Sequence, residues 1–267
     1  PTSVLLWDMV VITCYLIINV VYLVFMCSKR PGAEHKVSIV SRFALPVAIL
    51  VHSVTAWIFG LQLAKEWYSA IMAPIFVASA MDSGLALLLL SVMGLNKSGL
   101  FKIEKKLISS LAGLLATCIA IDAFFIGCEC LTMAYPGAKG AETLGIMATG
   151  ITAPFFWIEI IGGLVIPFCL MVFELVGASC VLVILGVFCK RVWLLFTSFY
   201  TFNISGAPGV ISGSTAARGA LGVDVWATLG TYSPTWVEIV VALGVVALGV
   251  LAFIALSRKL LLGHQQA

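Results

Sequence analysis

LPVAILVHSVTAWIFGLQLAKEWYSAIMAPIFVASAMDSGLALLLL, residues 45–90, holds two long apolar runs with a short polar break at Lys65 and Glu66. Each run reaches the roughly 20 residues that a helix needs to cross the hydrocarbon core of a bilayer. Backbone groups in lipid must be satisfied within their own segment, so helices are the expectation and strands are not a rival. The stretch therefore reads as an antiparallel transmembrane hairpin. Two ionisable residues interrupt it, His52 and Asp82. Counted from a turn near residue 65, they lie at depths differing by only about 6 Å at ~1.5 Å per residue.

The same pattern repeats outward from this hairpin. Apolar runs near 3–27, 43–63, 68–94, 107–134, 146–172, 175–196 and 236–257 predict seven spans. The expected fold is all-α, a polytopic transmembrane helical bundle, with residues 1–267 forming one integral membrane domain. The turn between the fifth and sixth spans rests on Glu174 alone. Composition agrees: the chain is 62% hydrophobic and 10% charged, with a mean hydropathy of +1.15. Soluble domains run near ~45–50% and ~25%, so water cannot be the solvent for this surface. The chain opens at Pro1 without an initiator Met or a signal-peptide pattern, and reads as a mature or partial form lacking upstream helices.

Loop charge predicts the orientation. Lys29, Arg30, Lys36 and Arg42 precede the second span, Lys97, Lys102, Lys105 and Lys106 follow the third, and Arg258 and Lys259 follow the last. All fall on one side, which is expected to be cytoplasmic. Pro1 and the loop 197–235 then face outward. Lys190 and Arg191 count against this, as charges approaching the outer end of the sixth span. The segment 201–235 is rich in Gly, Ser, Thr and Ala, and its Trp226, Tyr232 and Trp236 suit a membrane interface. It is expected to be either an ordered surface loop or a docking surface.

Ionisable groups cost roughly 2.5–3.5 kcal/mol at the bilayer centre on insertion scales, so each needs a reason. Asp8, Tyr15, Asn19 and Tyr22 recur at helical spacing and form one stripe, expected to face the bundle interior. The stripe reads either as interhelical hydrogen bonding or as a ligand or proton path. His52 and Asp82 read as a pair able to hold and pass a proton, or as a structural hydrogen-bonded pair. Ala78, Ser79 and Ala86 around Asp82 allow close helix approach. Asp122 and Glu129 share a face, and Glu159 shares one with Gly162 and Gly163. Together with Asp8 they could form a proton path across part of the membrane.

Two counts exclude redox groups of the chain's own. The eight cysteines form neither CxxC nor CxxCH and read as small buried hydrophobes. Of three histidines only His52 is intramembrane, and a b-type haem usually takes two axial histidines from facing helices. No haem, iron–sulfur cluster or metal site is expected. Any electrons must be carried by another subunit.

Residues 45–90 resemble the core of the NrfD/PsrC family, membrane subunits of polysulfide reductase-like respiratory complexes. The likeness rests on Pro46, His52, Trp67, Pro74, Phe76, Ser79 and Ala80, and extends to WDMVVITCYLIINVVYLVF at 7–25 and FFWIEIIGGLVIPFCLMVF at 155–173. Within the family, the loop SGAPGVISGSTAARG is similar to the DsrP branch of sulfur-metabolising microbes. The resemblance implies a haem-free subunit of the cell inner (cytoplasmic) membrane that exchanges electrons between menaquinone and a ferredoxin-like iron–sulfur subunit on the outer face. It implies cytochrome and further membrane subunits as partners, and no nucleic acid. It makes His52 and Asp82 the leading catalytic candidates, with Tyr15 and Asn19 beside them as quinone-binding residues. A secondary transporter and a purely structural anchor are the rival readings.

Overall fold

A computed structural model of the chain describes residues 3–28, 32–61, 69–99, 102–135, 139–200 and 235–265. Lys29, Arg30, Lys65, Glu66, Trp67 and nearly all of the loop 197–235 lie outside them. The described residues are helical, without a strand, and seven of their helices are long and apolar enough to cross a membrane. The protein is a multi-pass integral membrane protein.

In chain order the helices are α1 (Val4–Met26), α2 (Ala33–Gly60), α3 (Met72–Lys97), α4 (Lys105–Ala134) and α5 (Lys139–Ala148). They continue as α6 (Ala153–Trp157), a π-helical segment (Ile158–Val165), α7 (Ile166–Val172), α8 (Val176–Tyr200) and α9 (Trp236–Gln265). The pieces α6, π and α7 form one continuous span, Ala153–Val172. It starts later than the run at 146, because Thr149–Thr152 breaks the chain between α5 and α6. That break is held from within: Thr152 donates to the Ile146 carbonyl at 3.0 Å and pairs with Thr197 at 3.1 Å, while Trp157 donates to the Ala148 carbonyl at 2.9 Å. The turn at Glu174 is present. Glu174 has φ 61°, and the Leu175 N–H returns to the Leu170 carbonyl at 3.0 Å. The second helix begins ten residues earlier than its apolar run, so Lys36 and Arg42 sit on helix rather than in a loop.

Apart from α9, the helices fall into two groups. α1 packs on α2, and α2 in turn on α3. Along α1 the half-buried side chains recur at Val4, Asp8, Val11, Tyr15, Ile18, Tyr22 and Phe25, a 3–4 alternation that forms a single seam. Around α8 gather α3, the π segment, α7 and α6, with α4 against α3. This bundle contains two apolar layers. One includes Met72, Phe76, Met147, Phe156 and Trp193; the other includes Ala86, Leu89, Leu115, Leu164 and Val183. Outward-facing Leu, Ile, Val and Phe cover the rest, as a lipid-facing surface requires. In α9 every side chain from Trp236 to Leu256 is exposed.

The closest backbone contact brings two buried charged residues together. A Cβ built on Gly163 would stand 2.6 Å from the Gly186 Cα. Only glycine at both positions lets the π segment and α8 meet this tightly. The two segments run antiparallel across the Glu174 turn. Glu159, four residues before Gly163, is thereby carried next to Lys190, four residues after Gly186.

Candidate functional site

Between the two apolar layers lies a layer of buried ionisable groups. Lys190 on α8 is its centre. The Nζ donates to Asp122 Oδ1 at 2.9 Å and Oδ2 at 2.8 Å, and stands 3.2 Å from Glu159 Oε1. Glu159 Oε2 accepts from the indole N–H of Trp193. All three charged side chains are at most 2% exposed, so neither lipid nor bulk water competes for these bonds. Breaking one side of such a pair costs about 3–5 kcal/mol. Glu159 stands within the π-helical segment, a form of helix found mostly as short insertions and frequently at functional sites.

Asp82 belongs to the same layer and behaves differently. Its side chain is fully buried, and no donor among the described residues reaches either carboxyl oxygen; the Asp122 carboxyl is the group with which it can share a hydrogen bond, through a proton on one of the two. It lies within electrostatic reach of Asp122, Lys190 and Glu159. Three carboxyl groups thus share one ammonium group in the sealed interior. The arrangement can take up and give back a proton without presenting charge to lipid.

The expected His52–Asp82 pair is not formed. His52 is half-buried and turns its Nδ1 to the Ala48 carbonyl of its own helix, at 2.8 Å. A carbonyl only accepts, so Nδ1 carries the hydrogen and Nε2 of the neutral ring is left as an acceptor. His52 lines a groove of about 310 Å³ with Ser83, Gly84 and Leu87 of α3 and Val187 and Arg191 of α8. Those α3 residues lie on the side of the helix away from Asp82. Similar depth therefore does not mean a shared cavity; rotation about the α3 axis separates the two.

Lys190 and Arg191, read from sequence as charges near a span end, are corrected by the structure. Lys190 is the cation of the buried layer. Arg191 packs its guanidinium 4.0 Å from the Phe76 ring centre and donates to Ser79 Oγ at 3.3 Å. Neither is a loop charge, so neither counts in the loop-charge rule for orientation. The signal that could have found Lys190 was present: a lysine inside an apolar run, with two acidic residues in other spans needing a cation.

The other candidates disperse. Asp122 joins Lys190, whereas Glu129, seven residues on, accepts from Ser69 Oγ at 2.7 Å. A narrow cavity of about 30 Å³ touches both Glu129 and Lys190, along with Thr143 and Thr197. That is room for about one water molecule. Asp8 accepts from Thr55 Oγ1 at 2.7 Å across the α1–α2 seam. Asn19 donates to the Tyr15 carbonyl of its own helix at 2.8 Å. Tyr15 and Asn19 thus sit on that seam, and neither lines the His52 groove. Among the described residues no group of three or more His, Cys, Asp or Glu side chains could hold a metal ion.

Comparison with known proteins supplies the context. The family model described as polysulphide reductase, NrfD, matches residues 1–203. A Halobacterium salinarum protein, provisionally named as a membrane subunit of a dimethyl sulfoxide reductase, is 33% identical over 81% of this chain and 52% of its own length. The Hdr-like menaquinol oxidoreductase integral membrane subunit of Archaeoglobus fulgidus is 29% identical over 62% of this chain and 42% of its own. A selenate reductase subunit of Mesobacillus selenatarsenatis is 29% identical over 78% and 48%. The chain spans about half the length of these relatives.

Proposed function

This chain belongs to the polysulphide reductase NrfD family, and from that membership we propose that it is the quinone-interacting membrane subunit of an anaerobic respiratory oxidoreductase complex. The substrate class is a menaquinone or menaquinol, in keeping with the menaquinol oxidoreductase subunit among its relatives. The complex sits in the cytoplasmic membrane. A ferredoxin-like iron–sulfur subunit on the outer face exchanges electrons with the quinone, and cytochrome and further membrane subunits complete the assembly. The DsrP branch is the subfamily this reading favours.

The observation that carries the proposal is the sealed layer of Asp82, Asp122, Glu159 and Lys190 one helix away from a mainly apolar groove that carries His52, Ser83 and Arg191. Oxidation of a quinol releases two electrons and two protons, and reduction of a quinone takes up the same. The site therefore needs an apolar slot for the ring, a polar group at a ring oxygen, and proton acceptors shielded from lipid. Ala80, Gly84, Leu87, Ile184 and Val187 form the slot. His52 Nε2 meets the ring oxygen. Asp82 holds the proton in transit, and Lys190 keeps Asp122 and Glu159 in place around it. Glu129 and Ser69, reached through the water-sized cavity beside Lys190, form the continuation toward the outer side. Tyr15, Asn19 and Asp8 act by fixing α1 against α2 rather than by touching the ring.

The test is Asp82→Asn in the complete complex, which preserves size but removes the proton acceptor. No donor among the described residues bonds Asp82, and an asparagine amide N–H can still meet the Asp122 carboxylate beside it, so assembly is expected to be normal. Quinol-linked turnover is expected to fall about 10²-fold or more, the scale of a lost acid–base group. An assembled Asp82→Asn complex with wild-type turnover would remove Asp82 from the mechanism. Wild-type membranes that oxidise no quinol and reduce no quinone would remove the proposal itself, and leave an ion translocator as the better reading of the buried layer.

A further inference from the structure

Arg191 has more hydrogen-bonding capacity than the protein uses. Its guanidinium carries five N–H donors and no acceptor. One Nη donates to Ser79 Oγ at 3.3 Å, one face is covered by Phe76, and among the described residues it makes no other hydrogen bond. A cation near the middle of a membrane-spanning helix is costly unless something uses its charge. Lys190, its neighbour in sequence, directs its charge inward to Asp122 and Glu159. Arg191 feels the same two carboxylates from beyond ion-pair distance and stands on the groove wall formed by α8, with His52 on the wall formed by α2 and Ser83 and Gly84 of α3 between them. The groove therefore offers two unlike polar groups: an acceptor, His52 Nε2, and a donor-only cation.

Resting on the quinone reading of this groove, we propose that Arg191 is a ligand-binding residue that recognises the reacting oxygen of a quinol as negative charge builds on it. His52 Nε2 accepts the hydroxyl proton: the O–H bond breaks, an N–H bond forms, and the ring oxygen is left negative. Arg191 donates to that oxygen and balances its charge. Phe76 and Ser79 hold the guanidinium in position. A groove with one acceptor and one donor-only cation is matched to the reduced, proton-bearing ligand and to the anion it forms.

The probes are 2-heptyl-4-hydroxyquinoline N-oxide, whose N-oxide oxygen carries a formal negative charge and is a strong hydrogen-bond acceptor, and its parent lacking that oxygen. Their binding is titrated by fluorescence on the purified complete complex. Wild type is expected to bind the N-oxide at least about tenfold more tightly than the parent, the scale of a charge-assisted hydrogen bond. Arg191→Gln is expected to erase that preference while leaving affinity for the parent within about twofold. If Arg191→Gln does not assemble, Arg191→Lys reads the same ratio, with the preference reduced because the planar fork is lost. Equal weakening of both ligands, or an unchanged ratio, would show a merely structural role and overturn the assignment. Quinol oxidation by wild type together with an unchanged ratio would sink Arg191 alone. Absence of both binding and turnover in wild type would sink the quinone reading beneath it.

Discussion

The α1–α2 seam and the α3–α8 bundle both bury polar groups in apolar surroundings, and they do so in opposite ways. The seam has two walls. Its polar side chains stay half-buried and are satisfied locally: Thr55 donates to Asp8 and Asn19 donates to its own helix, and no side chain of α1 is fully buried. The bundle closes around its centre from four sides, with α3, α4, the π segment and α8 each contributing an ionisable residue, namely Asp82, Asp122, Glu159 and Lys190. Two helices cannot enclose a charge, so a carboxyl there keeps an open side. Four helices can, and the enclosed charges must then bring partners with them. Among lipids as apolar as leucine, packing and polar contacts rather than hydrophobicity sort the inside of a bundle from its outside. One group in the bundle, Asp82, is enclosed with no donor of its own among the described residues, and the proton role proposed for it rests on that.

The comparison predicts a steep gradient of mutational cost. Lys190→Met should have the largest effect, about 3–5 kcal/mol, because it strands two buried carboxylates. Adding Asp122→Asn and Glu159→Gln should recover much of that loss, since the three groups then disappear as a unit. Thermal unfolding in detergent measures both; a Lys190→Met protein as stable as wild type would break the contrast between the regions. Gly163→Ala should cost about 1–3 kcal/mol by forcing α8 and the π segment apart, with Glu159 and Lys190 separated and quinol turnover lowered in step. Stability lost with turnover intact would show that the glycine contact does not position the carboxylate. The smallest effect should come from Thr55→Val, which removes one seam hydrogen bond worth about 0.6 kcal/mol in membrane proteins. If it destabilised as much as Lys190→Met, the seam would be carrying the load assigned to the bundle.

Much of this was legible in the chain. Apolar runs long enough to span a bilayer located the seven helices, and the Glu174 turn and the Gly162–Gly163 face were both visible as patterns. Acidic residues inside those runs marked Asp82, Asp122, Glu129 and Glu159 as costly groups needing a reason. What misled was reading charge by its distance from a span end. Lys190 and Arg191 looked like flanking charges because α8 continues to Tyr200, several residues beyond the apolar run that defined it. The His52–Asp82 pairing failed for a related reason: hairpin counting gives depth and says nothing about which way each helix is rotated.

The sequence by itself determined that this protein lives in a membrane, that it is helical, and which residues are too costly there to be idle. Those conclusions need only length, hydropathy and the cost of desolvation, all of them properties of single residues and short windows. Only the tertiary structure decided the partners: Lys190 with Asp122 and Glu159, Asp82 beside them with no donor among the described residues, His52 and Arg191 across a groove. Pairing depends on the rotation of each helix about its axis and on how closely two backbones approach. Both are set where four helices meet, at the Gly163–Gly186 contact above all, and no single segment contains that information.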